Sequence, residues 1–191
     1  MEFGLSEDQK LLQESIRGTL EKVSPLERVR KAAEAREDFA EDVWAALKDL
    51  GVPGMLVPEE HGGMGMALLD AALVAEMLGR YVAPVPFIAT AVMAPIAIAG
   101  AGSKAQQEAW LPKLASGEAI AGVAIAEAAS GAREGAGVTA SGGKPSGKSL
   151  LALDAATADV ILVADKAVGL YRVTRATRGP MATAPPPTDL T

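Results

Sequence analysis

The chain has 191 residues, 49% of them apolar, enough for one large domain or two small ones with a buried core. A formal charge of -6 leaves no basic footprint for nucleic acid, and the absence of cysteine excludes disulfides, thiolate nucleophiles and Cys-ligated zinc. With a single histidine, His61, a multi-histidine metal site is excluded as well.

The start, MEFGLSEDQK, is acidic where an export signal needs basic residues and an apolar run, so the expected setting is cytoplasmic. Ser6 and Gln9 have capping-box spacing, and Leu12, Ile16, Leu20 and Val23 follow three or four apart, which predicts a helix. The mixed-sign run from Glu27 to Asp38 reads as a solvated helix face or a mobile connection. Asp38 and Glu41 repeat the box spacing ahead of Phe39, Val43, Leu47 and Leu50, with Gly51 placed to end that helix. Pro58 to Gly63 is turn-rich. Adjacent Glu59 and Glu60 point apart, and nothing gives His61 the positioned partner a general base needs, so both stand as structural or solvated residues.

A third helix is predicted from about Ala67 to Leu78, with Leu69, Leu73 and Met77 on one face and Gly79 as its stop. Tyr81 to Ala101 is apolar on all sides and long enough on paper to cross a bilayer. Its alanines and its prolines, Pro84, Pro86 and Pro95, favour a buried bundle helix instead. Ser103 opens a last helix carrying Trp110, Leu111 and Leu114 and closing near Gly117, for a bundle of about five. Trp44 and Trp110 lie among apolar neighbours at helical spacing and are expected to pack in the core.

Past Gly117 the periodicity shortens. AGVAIAE (121 to 127), SLLAL (149 to 153), DVILVAD (159 to 165) and GLYRV (169 to 173) read as strands separated by turn residues. The expected fold is α+β: a helical domain over 1–118, then an incomplete antiparallel β domain over 119–191 with a Pro-rich tail. Gly131, Gly135 and Gly137 lack GxGxxG spacing and a following helix, so they mark a loop and no dinucleotide fingerprint.

Three blocks carry more than periodicity: MEFGLSEDQKLLQESIR, VWAALKDLGVPGMLVPEEHGGMGMALLDAALVAEMLGR and QEAWLPKLASGEAIAGVAIAE. In order and spacing they resemble the amino-terminal helical domain and first strand of acyl-CoA dehydrogenases, and GKPSGKSLLALDAATADVILVAD resembles the middle β domain more loosely. The resemblance implies an FAD-dependent oxidoreductase of fatty acid or lipid catabolism. Such enzymes remove hydrogen from the α and β carbons of an acyl-CoA thioester, a glutamate taking the α proton and the flavin the β hydride. In the family that glutamate comes from a carboxy-terminal helical domain, which these residues do not include. The chain is therefore expected to be truncated and inactive alone, with no catalytic or metal-binding residue of its own to name.

By the same resemblance the flavin contacts fall on two segments. The family motif Thr-Glu-Pro-Gly-Ala-Gly-Ser-Asp after the first strand corresponds to Ala126-Glu127-Ala128-Ala129-Ser130-Gly131-Ala132-Arg133, preceded by Ile125. Glu127 and Gly131 keep the motif; Ala126 and Ala132 replace hydroxyls, leaving backbone amides to serve. Each lost hydrogen bond is worth about 0.5–1.5 kcal/mol. The family's Trp-Ile-Thr against the isoalloxazine ring corresponds to Leu151, Ala152 and Leu153. Implied cofactor contacts are thus Ile125, Ala126, Glu127, Gly131, Ala132, Leu151 and Leu153.

Three functions remain open: an acyl-CoA dehydrogenase, a non-catalytic partner or scaffolding subunit of a heteromeric one, and a helical interaction module without ligand. Apolar surface left uncovered in the helical domain predicts a homo-oligomer or a heteromer with a complete dehydrogenase subunit.

Overall fold

A computed structural model of the chain describes residues 4–126, 137–141 and 144–164. Within them, six α-helices precede a small partial sheet, the α+β layout expected from the sequence.

Helix α1 (Glu7–Val23) opens on the predicted capping box: Gln9 N–H donates to Ser6 Oγ at 3.2 Å and Ser6 N–H to Gln9 Oε1 at 3.1 Å. Ile16 and Leu20 on its inner face are fully buried. The charged run forms α2 (Leu26–Ala35), closed by Arg36 in the left-handed region, where Glu37 N–H reaches back to Ala32 O at 3.0 Å. Arg28 on α2 forks between Glu37 (2.8 Å) and Asp42 (2.7 Å), so this stretch is a solvated helix face tied to the next helix.

The box at Asp38 does not form. Helix α3 (Glu41–Asp49) starts at Ala40, a fully buried residue whose N–H donates to Pro84 O at 2.8 Å, so a tertiary contact sets the start two residues beyond the local cap. Val43, Trp44 and Leu47 face the core, and Gly51, at φ 76, ends the helix as predicted. Two short 3-10 turns, Val52–Gly54 and Glu59–His61, lead to α4 (Leu68–Arg80). Here two expectations are corrected. Gly79 lies inside the helix, and Leu69 is exposed, because the buried stripe runs through Ala71, Leu73, Val74, Met77 and Leu78.

The long apolar segment is a loop followed by a helix, and no helix among the described residues is long and apolar enough to cross a membrane. The helix starts as a π turn, Ile88–Met93, and continues as α5 (Ala94–Ala101). Pro95 accounts for the widening: it has no N–H to donate and its ring crowds the carbonyl of Ala91, and Ala94 N–H instead bonds Ala89 O, five residues back. Helix α6 (Lys104–Ala115) is opened by the Ser103 and Gln106 box. Its Gln107 side chain donates to the carbonyls of Ile98, Ala99 and Gly102 at 3.0–3.3 Å, satisfying acceptors at the end of α5.

Three apolar cores result among the described residues. One joins α1, α3, α4 and Phe87; a second joins α5, α6, Val57 and the first strand; a small third joins Ala124, Ala158, Ile161 and Val163. That strand, β1 (Ala121–Ala124), is shorter than predicted and fully buried, as is β4 (Val160–Val163). They pair in parallel, Ala121 opposite Val160. Between them, β2 (Gly137–Ser141) and β3 (Lys144–Lys148) form an antiparallel hairpin that sequence patterning missed, since the alternation of Val138 and Ala140 is short and KPSGK reads as a turn. The predicted strand 149–153 is instead a turn. Leu151 (φ 57) and Asp154 (φ 48) break the extended backbone, and only Leu153 pairs, antiparallel, with Val123. The predicted strand 169–173 and the tail lie outside the described residues.

Candidate functional site

The site is built around β1. Its first residue is clamped by Thr90, a hydroxyl in an otherwise apolar helix: Thr90 Oγ1 donates to Ala121 O at 3.3 Å and accepts from Ala121 N–H at 3.1 Å. Both residues are fully buried. Ile120 N–H donates to Asp159 Oδ2 at 2.9 Å, which fixes the start of β4 beside β1. On the other edge of β1, Val123 and Leu153 bond each other in both directions.

Gly122 lets the 153–158 turn lie on the strand. A Cβ there would stand 2.9 Å from Ala155 Cα and 3.1 Å from Leu153 O, closer than the turn allows. This places Leu153 beside β1, whose end leads into Ile125 and Ala126, both partly buried. Leu151 and Leu153 remain 49% and 45% exposed, an apolar surface left for something to cover. Glu127, Gly131 and Ala132 lie outside the described residues. Of the residues matched to flavin contacts, the fold thus brings Leu153 against the strand that leads to Ile125 and Ala126, although nearly thirty positions separate the two segments.

Sequence reasoning missed three residues of this site: Thr90, Gly122 and Asp154. Each had a signal: a lone hydroxyl in an apolar helix, a glycine inside a strand, and an aspartate in a turn. Burial raises the Asp154 carboxyl above the usual aspartate range, an effect partly offset by the backbone N–H of Ala89.

The other candidates have plain roles. His61 is largely buried in its 3-10 turn, 3.7 Å from Glu60 Oε1, and Trp44 sits in the first core. Trp110 packs against the second core with Lys113 Nζ 5.9 Å above its ring. A cleft of about 650 Å³ opens elsewhere, between α2, α4 and residues 82–88. It holds none of the matched flavin residues, so size alone does not mark the site.

By architecture this is an α+β protein whose candidate site is an apolar edge shaped by backbone pairing, with no cluster of reactive side chains among the described residues. Comparison with known proteins gives that architecture its family. The model for the acyl-CoA dehydrogenase N-terminal domain matches residues 6–118, and the chain belongs to that family. It is 36% identical over 99 residues to acyl-CoA dehydrogenase IpdE2 of Mycolicibacterium smegmatis, a match covering 51% of this chain and 32% of that protein. It is 39% identical over 101 residues to the human mitochondrial very long-chain specific acyl-CoA dehydrogenase, covering 51% of this chain and 15% of that protein. Among solved structures it is similar to the ChsE4-ChsE5 complex from Mycobacterium tuberculosis, with TM-score 0.76 and 26% identity, over 86% of this chain and 45% of that one. The chain thus spans less than half the length of these proteins.

Proposed function

We propose that the chain contributes the helical domain and one edge of the flavin site of an FAD-dependent acyl-CoA dehydrogenase, with the helical domain over 1–118 and the β portion over 119–191. The observation that carries this reading is the Val123–Leu153 pair, which sets Leu153 beside the strand leading to the motif segment. The exposed leucines and the strand end suit a flavin ring, which asks for a flat apolar surface and backbone polar groups. When bound, FAD would accept the hydride from the β carbon of the acyl-CoA. Leu151 and Leu153 would cover ring surface and exclude water, while Ile125, Ala126, Glu127, Gly131 and Ala132 would border the cofactor. No residue here matches the family's glutamate base, so α-proton removal draws on a carboxylate from outside these 191 residues. The decisive experiment is FAD binding together with electron transfer from octanoyl-CoA or a bulkier acyl-CoA to an artificial acceptor, with and without a complete dehydrogenase subunit. Flavin or acyl-CoA binding only in the subunit's presence supports the reading; neither in any mixture removes it.

A second reading, a non-catalytic partner subunit of a heteromeric dehydrogenase, is favoured by one set of substitutions. Alanine stands at 126 and 132, and Leu-Ala-Leu at 151–153, where the family places hydroxyls and an aromatic ring. The similarity to a solved two-protein complex points the same way. Activity of the mixture that is unchanged when Leu153 is altered would favour this second role.

A further inference from the structure

The helix that runs from the Ile88–Met93 π turn into α5 serves two cores at once. Phe87 and Ala91, four apart, lie in the first, while Ala89, Ala94 and Ile98 lie in the second, five and then four apart. Five residues of an α-helix overshoot a full turn by about 140°, so in that register Ala89 and Ala94 would not share a face. The π turn stacks them: Ala94 N–H bonds Ala89 O, five residues back.

Thr90 depends on the same register. It carries the one hydroxyl between Phe87 and Ala101, it is fully buried, and that hydroxyl both donates to Ala121 O and accepts from Ala121 N–H at the head of β1. If the turn closed to the α register with Ala94 and Ile98 still seated, the residues from Phe87 to Ala91 would rotate about the helix axis. Thr90 Oγ1 would then leave both partners, because such bonds weaken steeply with distance and angle. What opposes that closure sits one residue beyond Ala94. An α register asks residue 95 to donate to Ala91 O, but Pro95 has no N–H, and its buried ring crowds that carbonyl.

We propose that Pro95 is a positioning residue: by holding Ile88–Met93 in the π register it sets Thr90 on Ala121 and so fixes where β1, and the strand end leading to Ile125 and Ala126, lies. The residue acts through Thr90 and touches no ligand itself. That this strand borders a flavin rests on the function proposed above. The two cores accommodate the widened turn, and Pro95 keeps it from closing.

The test takes the full chain as wild type, Pro95→Ala, Thr90→Val and the double variant, with two NMR readouts. Couplings through hydrogen bonds identify the acceptor of Ala94 N–H, and amide exchange corrected for intrinsic rate gives the protection of Ala121. In wild type and Thr90→Val the acceptor is expected to be Ala89; in Pro95→Ala it should move to Thr90 O, one residue closer. Ala121 protection should fall tenfold or more in Pro95→Ala and in Thr90→Val, yet adding Pro95→Ala to Thr90→Val should change it less than twofold. An acceptor that stays at Ala89 in Pro95→Ala overturns the proposal, as does unchanged Ala121 protection or an equal loss in both backgrounds. Pro95→Val fills more of the ring's space and answers the same questions if Pro95→Ala does not fold. A parallel titration with FAD beside a complete dehydrogenase subunit keeps the two ideas apart. If no form binds FAD, the flavin reading falls while the NMR readouts still decide the role of Pro95.

Discussion

Val123 and Leu153 exchange backbone hydrogen bonds of 3.0 Å and 2.8 Å, and this single pair joins the two halves of the candidate flavin edge. The pair exists because Gly122 leaves room for the turn that follows Leu153. Gly122→Ala should therefore displace the turn and cost about 1–3 kcal/mol, the usual range for overpacking a filled site. Urea denaturation reads the loss. Unchanged stability together with an intact Leu153 amide would mean that the pair with Val123 does not depend on the glycine at 122.

Thr90 holds the other end of β1. Thr90→Val keeps the shape but removes both bonds to Ala121, leaving a buried N–H and C=O unserved, for an expected loss of about 1–3 kcal/mol. Thr90→Ser keeps the hydroxyl and should lose less. Equal midpoints for the two variants would show that the hydroxyl contributes nothing.

Ser24 and Trp44 carry buried polar atoms, Oγ and Nε1, with no partner among the described residues. Removing such a group relieves an unmet desolvation cost, so Ser24→Ala should leave stability unchanged or raise it by up to about 1 kcal/mol. A clear loss would reveal a partner, such as a bound water, for this hydroxyl.

The Arg28 fork gives a pH signature. The guanidinium holds the Asp42 carboxyl below the usual aspartate range, so its stabilising effect is present above the ordinary value and is lost as pH falls through the lowered one. Arg28→Ala should thus lower the melting temperature at pH 7, and the gap from wild type should close in strong acid and narrow in high salt. A gap independent of both would place the effect of Arg28 in packing.

For the cofactor, the purified chain is expected to leave gel filtration without bound flavin, since hydroxyls are replaced on the edge it presents. Restoring them as Ala126→Thr or Leu153→Thr should tighten FAD binding by about twofold to tenfold each, the equivalent of one hydrogen bond. One equivalent of flavin on the unaltered chain would show the aliphatic edge to be sufficient.

Much of the helical domain was legible from spacing alone. Ser6 with Gln9 and Ser103 with Gln106 open helices where predicted, because a capping box is satisfied within four residues of chain. Asp38 failed for the opposite reason: the partner that fixes the start of α3 is Pro84 O, more than forty residues away. The hairpin β2–β3 gave too short a signal to register: Val138, which packs against Ala124, Ala158, Ile161 and Val163, alternates only with Ala140, and KPSGK reads as a turn.

The sequence by itself determined the family and most helices of the amino-terminal domain, because motifs and 3.6-residue periodicity are properties of local chain. Only the tertiary structure decided that β1 and β4 run parallel, that 149–153 is a turn carrying one paired residue, that Thr90 clamps the start of β1, and that Gly122 leaves room for the turn beside it. Such relationships depend on backbone groups meeting across long sequence separations. Those meetings are fixed by which buried donors and acceptors can be satisfied together, a condition that no short window of sequence contains.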